Sequence, residues 1–446
     1  MMQITHYCNS FIEIKSKNSS IACDPWVGKT RDNGWYSYPI KNVQSIKSDV
    51  FNSEFVYISH LHCDHLDFKT LKNFKNKNVK FIIKKFSNKI LKKRLEAFGF
   101  KKILEIDEFK KTKINKDFTI AIIPQIITNS GNLSDKIQFD LDTSIVIQSN
   151  HDKKIFYNNV DNSINEDVAK KINSFVRKNF KKNIDIFTCS LGAASEYPQA
   201  FLNINRAKEY KKIINQSLLN TKLYLKIFKA KFFFPSGGAY AIYGKFFQLN
   251  KYIAQPGFDK IKSYFNKMKT EVFNIEGGGK IFIKKNIFKI KESKVNENIE
   301  YKKKFITSIS NNKYYYEKKI LTDIKKLDYL FVSAKKNYFN FLLRKKISNA
   351  WKINFIVYKN LQINNSCNID KAKSKILKEY RIVNNQLNYK KNSPQLSCYL
   401  DYSLFIQLLV GNFPWNTSLS GSVIMFKRKP NKFYPNMVFS LNYLRN

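Results

Sequence analysis

Short apolar runs separated by polar turns fill the first 150 residues at strand spacing. Residues 4–15, 20–24, 79–83, 118–127 and 144–148 read as strands, and 54–59 (Glu-Phe-Val-Tyr-Ile-Ser) is a compact apolar strand that ends in polar residues. Helical spacing is present at 69–74 and 85–98. The run Asn150-His151-Asp152-Lys153 predicts a turn, followed by a strand over 154–160. Ser163-Ile-Asn-Glu166 reads as a capping box opening a helix to about residue 180. A strand at 185–188, a Gly/Ala/Ser loop, a long helix over 205–228, a strand at 232–234 and a hairpin over 273–283 close this part. Strands alternating with helices make residues 1–290 an α/β domain. Beyond about 285 the pattern changes to Lys-rich helical stretches as far as 390, then turns apolar again at 399–409 and 422–426. Residues 291–446 are therefore expected to form a mostly helical accessory region whose last fifty residues pack back on the first domain.

Composition supports a folded chain. Of 446 residues, 43% are hydrophobic and 15% aromatic, with only 14 Gly and 10 Pro, so a sizeable core can form and disorder is a poor description. The charge needs more care. Lys and Arg number 79 against 34 Asp and Glu, a formal +45, which would ordinarily point to nucleic acid or an anionic membrane. Here the excess is mostly Lys, spread along the chain beside abundant Asn, Ile, Phe and Tyr, with no single basic block. The charge reads as compositional background that favours a small anionic substrate; nucleic acid is disfavoured. Six Cys without regular spacing do not make a disulfide framework. With no signal-peptide pattern in residues 1–13, a cytoplasmic location is expected. The most apolar stretch, 231–247, is broken by Pro235, Gly237 and Gly238, which argues against a membrane span and leaves peripheral membrane contact open.

The scarce residues carry the chemistry. Only five His are present, yet three fall within His60-Leu-His62-Cys-Asp64-His65, directly after the strand at 54–59. Two His at i and i+2 in extended chain point the same way, and the following turn can bring Asp64 and His65 onto the same cavity. Imidazoles and carboxylates gathered at a strand end suit a borderline divalent ion, zinc first, with iron or manganese as alternatives. Cys63 alternates away from the ligands.

This His-x-His-x-Asp-His motif resembles that of the metallo-β-lactamase superfamily. The resemblance implies an αββα sandwich holding one or two metal ions at the sheet edges. It places His60 and His62 on a first ion, Asp64 and His65 on a second, and Asp161 between them, with Asp64 and Asp161 as catalytic groups. The chain departs from the pattern at two places: no His stands where the third and final ligands should be. Asp142 or Gln138 could substitute for the third, whereas the final position falls near 235–238. His151 lies in the turn ten residues before Asp161, on the order of 30 Å away along an extended strand, and is expected to be exposed there. His6, in Ile4-Thr-His6-Tyr7, resembles a residue at the site mouth of one superfamily branch; a hydrogen-bonded structural His is the other reading.

A closer resemblance lies outside the metal motif. Thr5-His6-Tyr7-Cys8-Asn9, Cys23-Asp24-Pro25-Trp26 with Gly34-Trp35, Leu141-Asp142-Thr143, Gly192-Ala-Ala-Ser195 with Tyr197-Pro198, and Gly238-Ala-Tyr240 look like the metallo-β-lactamase-like region of CMP-N-acetylneuraminate hydroxylases. That family needs a Rieske cluster held by Cys-x-His and Cys-x-x-His pairs. Only Cys63 has a His at such an offset, inside the metal motif, so this chain holds no Rieske cluster of its own. The resemblance implies a metal-dependent hydrolase-like protein acting on an anionic sugar or nucleotide-sugar, in surface-polysaccharide or sialic-acid-like sugar metabolism. The alternative is a non-catalytic or partner-dependent nucleotide-sugar-binding relative. Besides the metal ligands, His6, Asp24, Trp26 and Trp35 are the candidate substrate contacts, the two Trp by stacking.

Overall fold

The computed structural model describes all residues except 31–33, 75–77, 127–141, 194, 238–239, 285–286, 294, 296–297, 308–313, 318–323, 384–392, 416–417 and 419–420. Strands of the first part are β1 Met2–Cys8, β2 Phe11–Lys15, β3 Ser20–Cys23, β4 Trp35–Ser37, β5 Phe55–Tyr57, β6 Lys80–Lys84, β7 Ile103–Ile106, β8 Thr112–Lys113, β9 Phe118–Pro124, β10 Thr143–Ser149 and β11 Ile155–Asn159. They continue with β12 Ile186–Cys189, β13 Phe232–Pro235, β14 Tyr240–Ile242, β15 Glu271–Val272, β16 Gly279–Lys284 and β17 Ile287–Lys291.

Two sheets result. One has the order β17-β16-β1-β2-β3-β5-β6-β7, the other β15-β13-β12-β11-β10-β9-β8. Each is part antiparallel and part parallel: β3, β5, β6 and β7 run parallel in the first, as do β11, β12, β13 and β15 in the second. The residues buried between the sheets come from both, with Ile4, Ile12, Ile14 and Phe55 meeting Ile120, Ile145, Phe156 and Phe234. The outer faces are equally apolar, which is why β9 and β10 are buried along their whole length. Helix Ile90–Ala97 covers the first sheet through Leu91 and Leu95. Helices Glu166–Phe180, Arg206–Phe228 and Phe258–Phe265 cover the second through Ile172, Val176, Leu218, Leu225 and Phe265. Helix, sheet, sheet, helix: the layers are the expected αββα sandwich of metallo-β-lactamase type.

One local expectation is corrected. The helix to Phe180 begins at Glu166, capped by Asn165, whose side chain accepts from Val168 N–H; Ser163 lies outside it. The turn residue His151 is exposed, as expected, and pairs with the buried carboxylate of Asp117. Glycines 277 and 278 form a turn at positive φ whose amides donate to the carbonyls of Tyr7 and His6.

The accessory region contains helices Ile299–Thr307, Ile324–Arg344, Tyr402–Leu409 and Pro435–Ser440. It also contains a four-stranded sheet, β19-β18-β20-β21, from β18 Lys352–Tyr358, β19 Ile376–Ile382, β20 Gln395–Asp401 and β21 Met425–Lys429. One apolar cluster joins this region to Trp26, Trp35, Tyr38 and Tyr240 of the sandwich. Backbone bonds from Leu202 N–H to Phe426 and from Phe426 N–H to Ala200 link the two parts, each 2.8 Å. No helix among the described residues is long and apolar enough to cross a membrane.

Candidate metal centre

Strand polarity brings the acidic and imidazole residues to one end of the sandwich. β3 and β5 are parallel with Cys23 opposite Tyr57, so Asp24 and the Ser59-His60 step leave the first sheet side by side. In the second sheet β10 runs antiparallel to β11 with Ile145 opposite Asn158. Continuing that register sets Asp142, just before β10, opposite Asp161, just after β11. The site thus lies beyond the carboxyl ends of parallel strands, where open α/β sheets leave a crevice.

The donor atoms converge. His60 Nε2 lies 2.7 Å from His62 Nδ1 and 3.3 Å from Asp142 Oδ1. His65 Nε2 lies 2.7 Å from Asp161 Oδ2 and 3.7 Å from Asp64 Oδ2. Two triads, His60/His62/Asp142 and His60/His65/Asp161, each have all their ligand atoms within 4.8 Å of one another. Asp142 thus takes the place where the motif lacks a third His. Gln138, the other substitute considered, lies outside the described residues, as does Gly238.

The rings are held from behind. His65 Nδ1 faces Asp24 Oδ2 at 3.0 Å, while Asp24 Oδ1 accepts from Ser59 N–H at 2.8 Å. Ser59 Oγ lies 2.9 Å from His60 Nδ1 and 3.2 Å from His65 Nδ1. Thr143 donates its hydroxyl to the Ser59 carbonyl at 2.8 Å. Fixing the far nitrogen of a ring leaves the near one available as a ligand. His65 Nε2, Asp142 Oδ1 and Asp24 Oδ2 are buried with no hydrogen-bond partner, each near its neighbours but off hydrogen-bond alignment. Three imidazoles and three carboxylates aimed at common points fit divalent ions.

Electrostatics agree with that fit. Burial, then neighbouring imidazoles, keeps His60 well below the usual His range and holds His62 at about 3, so both stay neutral and able to ligate. Burial pushes Asp64 and Asp142 up to about 6. Burial also pushes Asp161 upward, but His65 beside it prevails and holds it at about 2. Burial opposes charge on His65, yet Asp64, Asp24 and Asp161 raise it well above the usual value. Excess carboxylate is being balanced by imidazolium, the demand a cation would meet.

The substrate contacts expected from sequence fare differently. Asp24 is fully buried and serves His65 rather than a ligand cavity. Trp26 and Trp35 are buried in the apolar cluster, Trp35 stacked on Tyr240 at 4.4 Å, so neither offers a stacking face to solvent. His6 is buried, donates from Nε2 to the Asn9 carbonyl at 2.7 Å, and is held by burial at about 4. It belongs to neither triad. In the stretch 235–238, where the final ligand is expected, the Ser236 hydroxyl accepts from Thr188 at 2.6 Å. Ser59 and Thr143 were missed because hydroxyls carry no spacing signal. Asp24 could have been placed with the ligands from its position at the end of a strand parallel to β5.

No protein-family profile matches the chain. Over 137 residues it is 28% identical to a protein of Mycolicibacterium smegmatis named as a Rieske 2Fe-2S iron-sulfur protein, covering 30% of this chain and 26% of that one. Over 151 residues it is 29% identical to the cytidine monophosphate-N-acetylneuraminic acid hydroxylase of Asterias rubens, covering 33% of this chain and 21% of that one. The match thus spans about a quarter of these relatives' length. Among solved structures, isothiocyanate hydrolase from Delia radicum gut bacteria aligns with a TM-score of 0.44 at 15% identity, over 63% of this chain and 99% of that one. The metallo-β-lactamase fold protein YhfI from Bacillus subtilis aligns at 0.37 and 12%, over 65% and 98%.

Proposed function

We propose that this chain, a metallo-β-lactamase-type sandwich, is a metal-dependent hydrolase-like enzyme acting on a small anionic sugar or nucleotide-sugar. The convergence of His60, His62, His65, Asp142 and Asp161 carries the reading. When bound, divalent ions, zinc first, supply an acidified water and charge to stabilise a developing oxyanion. His60, His62 and Asp142 would hold one ion, and His65, Asp64 and Asp161 the other. Asp64 and Asp161, on either side of His65 Nε2, would orient the attacking water. Asp24 and Ser59 keep the rings in place.

A cavity of about 220 Å³ lies at the same end of the second sheet as Asp161, with none of the metal ligands in its lining. It opens where β13 ends, at Ser236 and Gly237, and is lined also by Lys251, Lys302, Asn274 and Glu276. Lysines beside amides and a carboxylate suit a hydroxyl-rich anion, and the +45 charge steers one inward. The test is chelator-sensitive hydrolysis of nucleotide-sugars by the purified chain. Asp161→Asn should lower turnover by about a hundredfold or more; turnover indifferent to chelator and to Asp161→Asn overturns the reading.

A second reading rests on the similarity to a Rieske protein and a hydroxylase. With one Cys/His pair, inside the metal motif, this chain would need a partner's electrons and would itself bind the nucleotide-sugar. Tight binding unaffected by chelator, without hydrolysis, would favour it.

A further inference from the structure

Helix Ile324–Arg344 buries one side deeply in the apolar cluster through Leu327, Phe331, Ala334, Tyr338, Phe341 and Leu342. Its other side is unusual. Tyr329, Val332 and Leu343 are 74%, 67% and 79% exposed. At 100° per residue these three fall within about 60° of arc, directly opposite the buried stripe. Lys335 and Lys336 lie on or beside the same arc. The acid nearest it, Asp328, is engaged elsewhere, with Lys378 Nζ and Tyr380 Oη each 2.7 Å from its carboxylate.

A solvated helix face normally carries charge alone, and isolated exposed apolar residues need no explanation. Three large ones in register over some 20 Å, interleaved with Lys, form a surface that pays hydration cost without burying anything within the chain. The complementary partner must be both apolar and negative over a flat area. We propose that this face docks on an anionic bilayer surface, Tyr329, Val332 and Leu343 entering the headgroup boundary while the Lys side chains meet lipid phosphates and carboxylates. The helix would lie in the interface plane, not across it. Each Lys near such a surface adds to the attraction, and the net +45 extends it to longer range. This docking is independent of the metal-centre chemistry.

The test is co-sedimentation of the whole chain with vesicles of phosphatidylcholine alone and with about 30% phosphatidylserine, the composition that sets the surface potential. Wild type should sediment with the anionic vesicles only. Val332→Ser/Leu343→Ser and, separately, Lys336→Glu should each reduce the bound fraction, the double Ser variant about tenfold, with unfolding midpoints unchanged because these side chains are exposed. No association at low salt overturns the proposal. So does association that the Ser variant leaves intact, which would mean unspecific adhesion of Lys, or self-association abolished by the Ser variant, which would mean a second copy covers this face.

Discussion

His65 Nδ1 lies 3.0 Å from Asp24 Oδ2, with the carboxylate fully buried behind the ring. The charge of a carboxylate so placed favours a proton on Nδ1, on the side of the ring away from Asp161 and Asp64, although the pair is off hydrogen-bond alignment. Asp24→Asn keeps the volume but removes the charge. Metal affinity, measured by competition with a chelator, should fall about 10- to 100-fold. Affinity equal to wild type would show that Asp24 only fills space.

Asp142 stands where the motif's third His is missing, 3.3 Å from His60. Asp142→Ala should lose one metal equivalent, whereas Asp142→His, supplying the usual donor, should keep it. Equal metal content in Asp142→Ala and wild type would remove Asp142 from the centre.

Gly192 has φ +101°, and a Cβ there would lie 2.0 Å from the Ala254 carbonyl oxygen. Gly99 has the same φ, with nothing within 4 Å of such an atom. Gly99→Ala should therefore cost about 1 kcal/mol, the conformational part alone. Gly192→Ala adds a collision between two backbones and should cost about 2 kcal/mol or more in denaturant unfolding. Equal costs would show that the 192 loop moves aside freely.

Asp117 is pushed up by burial, but hydrogen bonds from His151 and the Asn18 amide prevail and hold it below the usual carboxylate range. A carboxyl lowered by folding stabilises the protein above its unfolded value of about 4, and that contribution disappears as pH falls through the folded value. His151→Ala should therefore be less stable than wild type at pH 6, with the difference shrinking toward pH 2 in acid-denaturation curves. A difference independent of pH would mean that His151 acts by packing alone.

What the sequence disclosed follows from how local each signal is. His60, His62, Asp64 and His65 lie within six residues of one chain segment, so their convergence needed only a strand end and a turn. Asp161 was placed by the strand before it. Asp142 stayed one of two choices because its placement depends on cross-strand register, which a single chain does not reveal. Trp26 and Trp35 looked available for stacking because the cluster that buries them comes largely from residues beyond 300. The C-terminal sheet was hidden for a related reason. β19 (Ile-Leu-Lys-Glu-Tyr-Arg-Ile) pairs with β18 at one edge, and its Lys, Glu and Arg look as much like a helix surface as an edge strand. Its partner strands gain their stability from packing, which propensity does not report.

His60 belongs to both triads, so one substitution addresses the whole centre. The decisive measurement is metal content by mass spectrometry, after loading with zinc, iron or manganese and desalting, for wild type and His60→Ala. Wild type should retain about one to two equivalents and His60→Ala about one equivalent fewer, with both chains folded by circular dichroism. Wild type free of metal after loading, or His60→Ala retaining as much as wild type, would contradict a metal centre at this end of the sandwich.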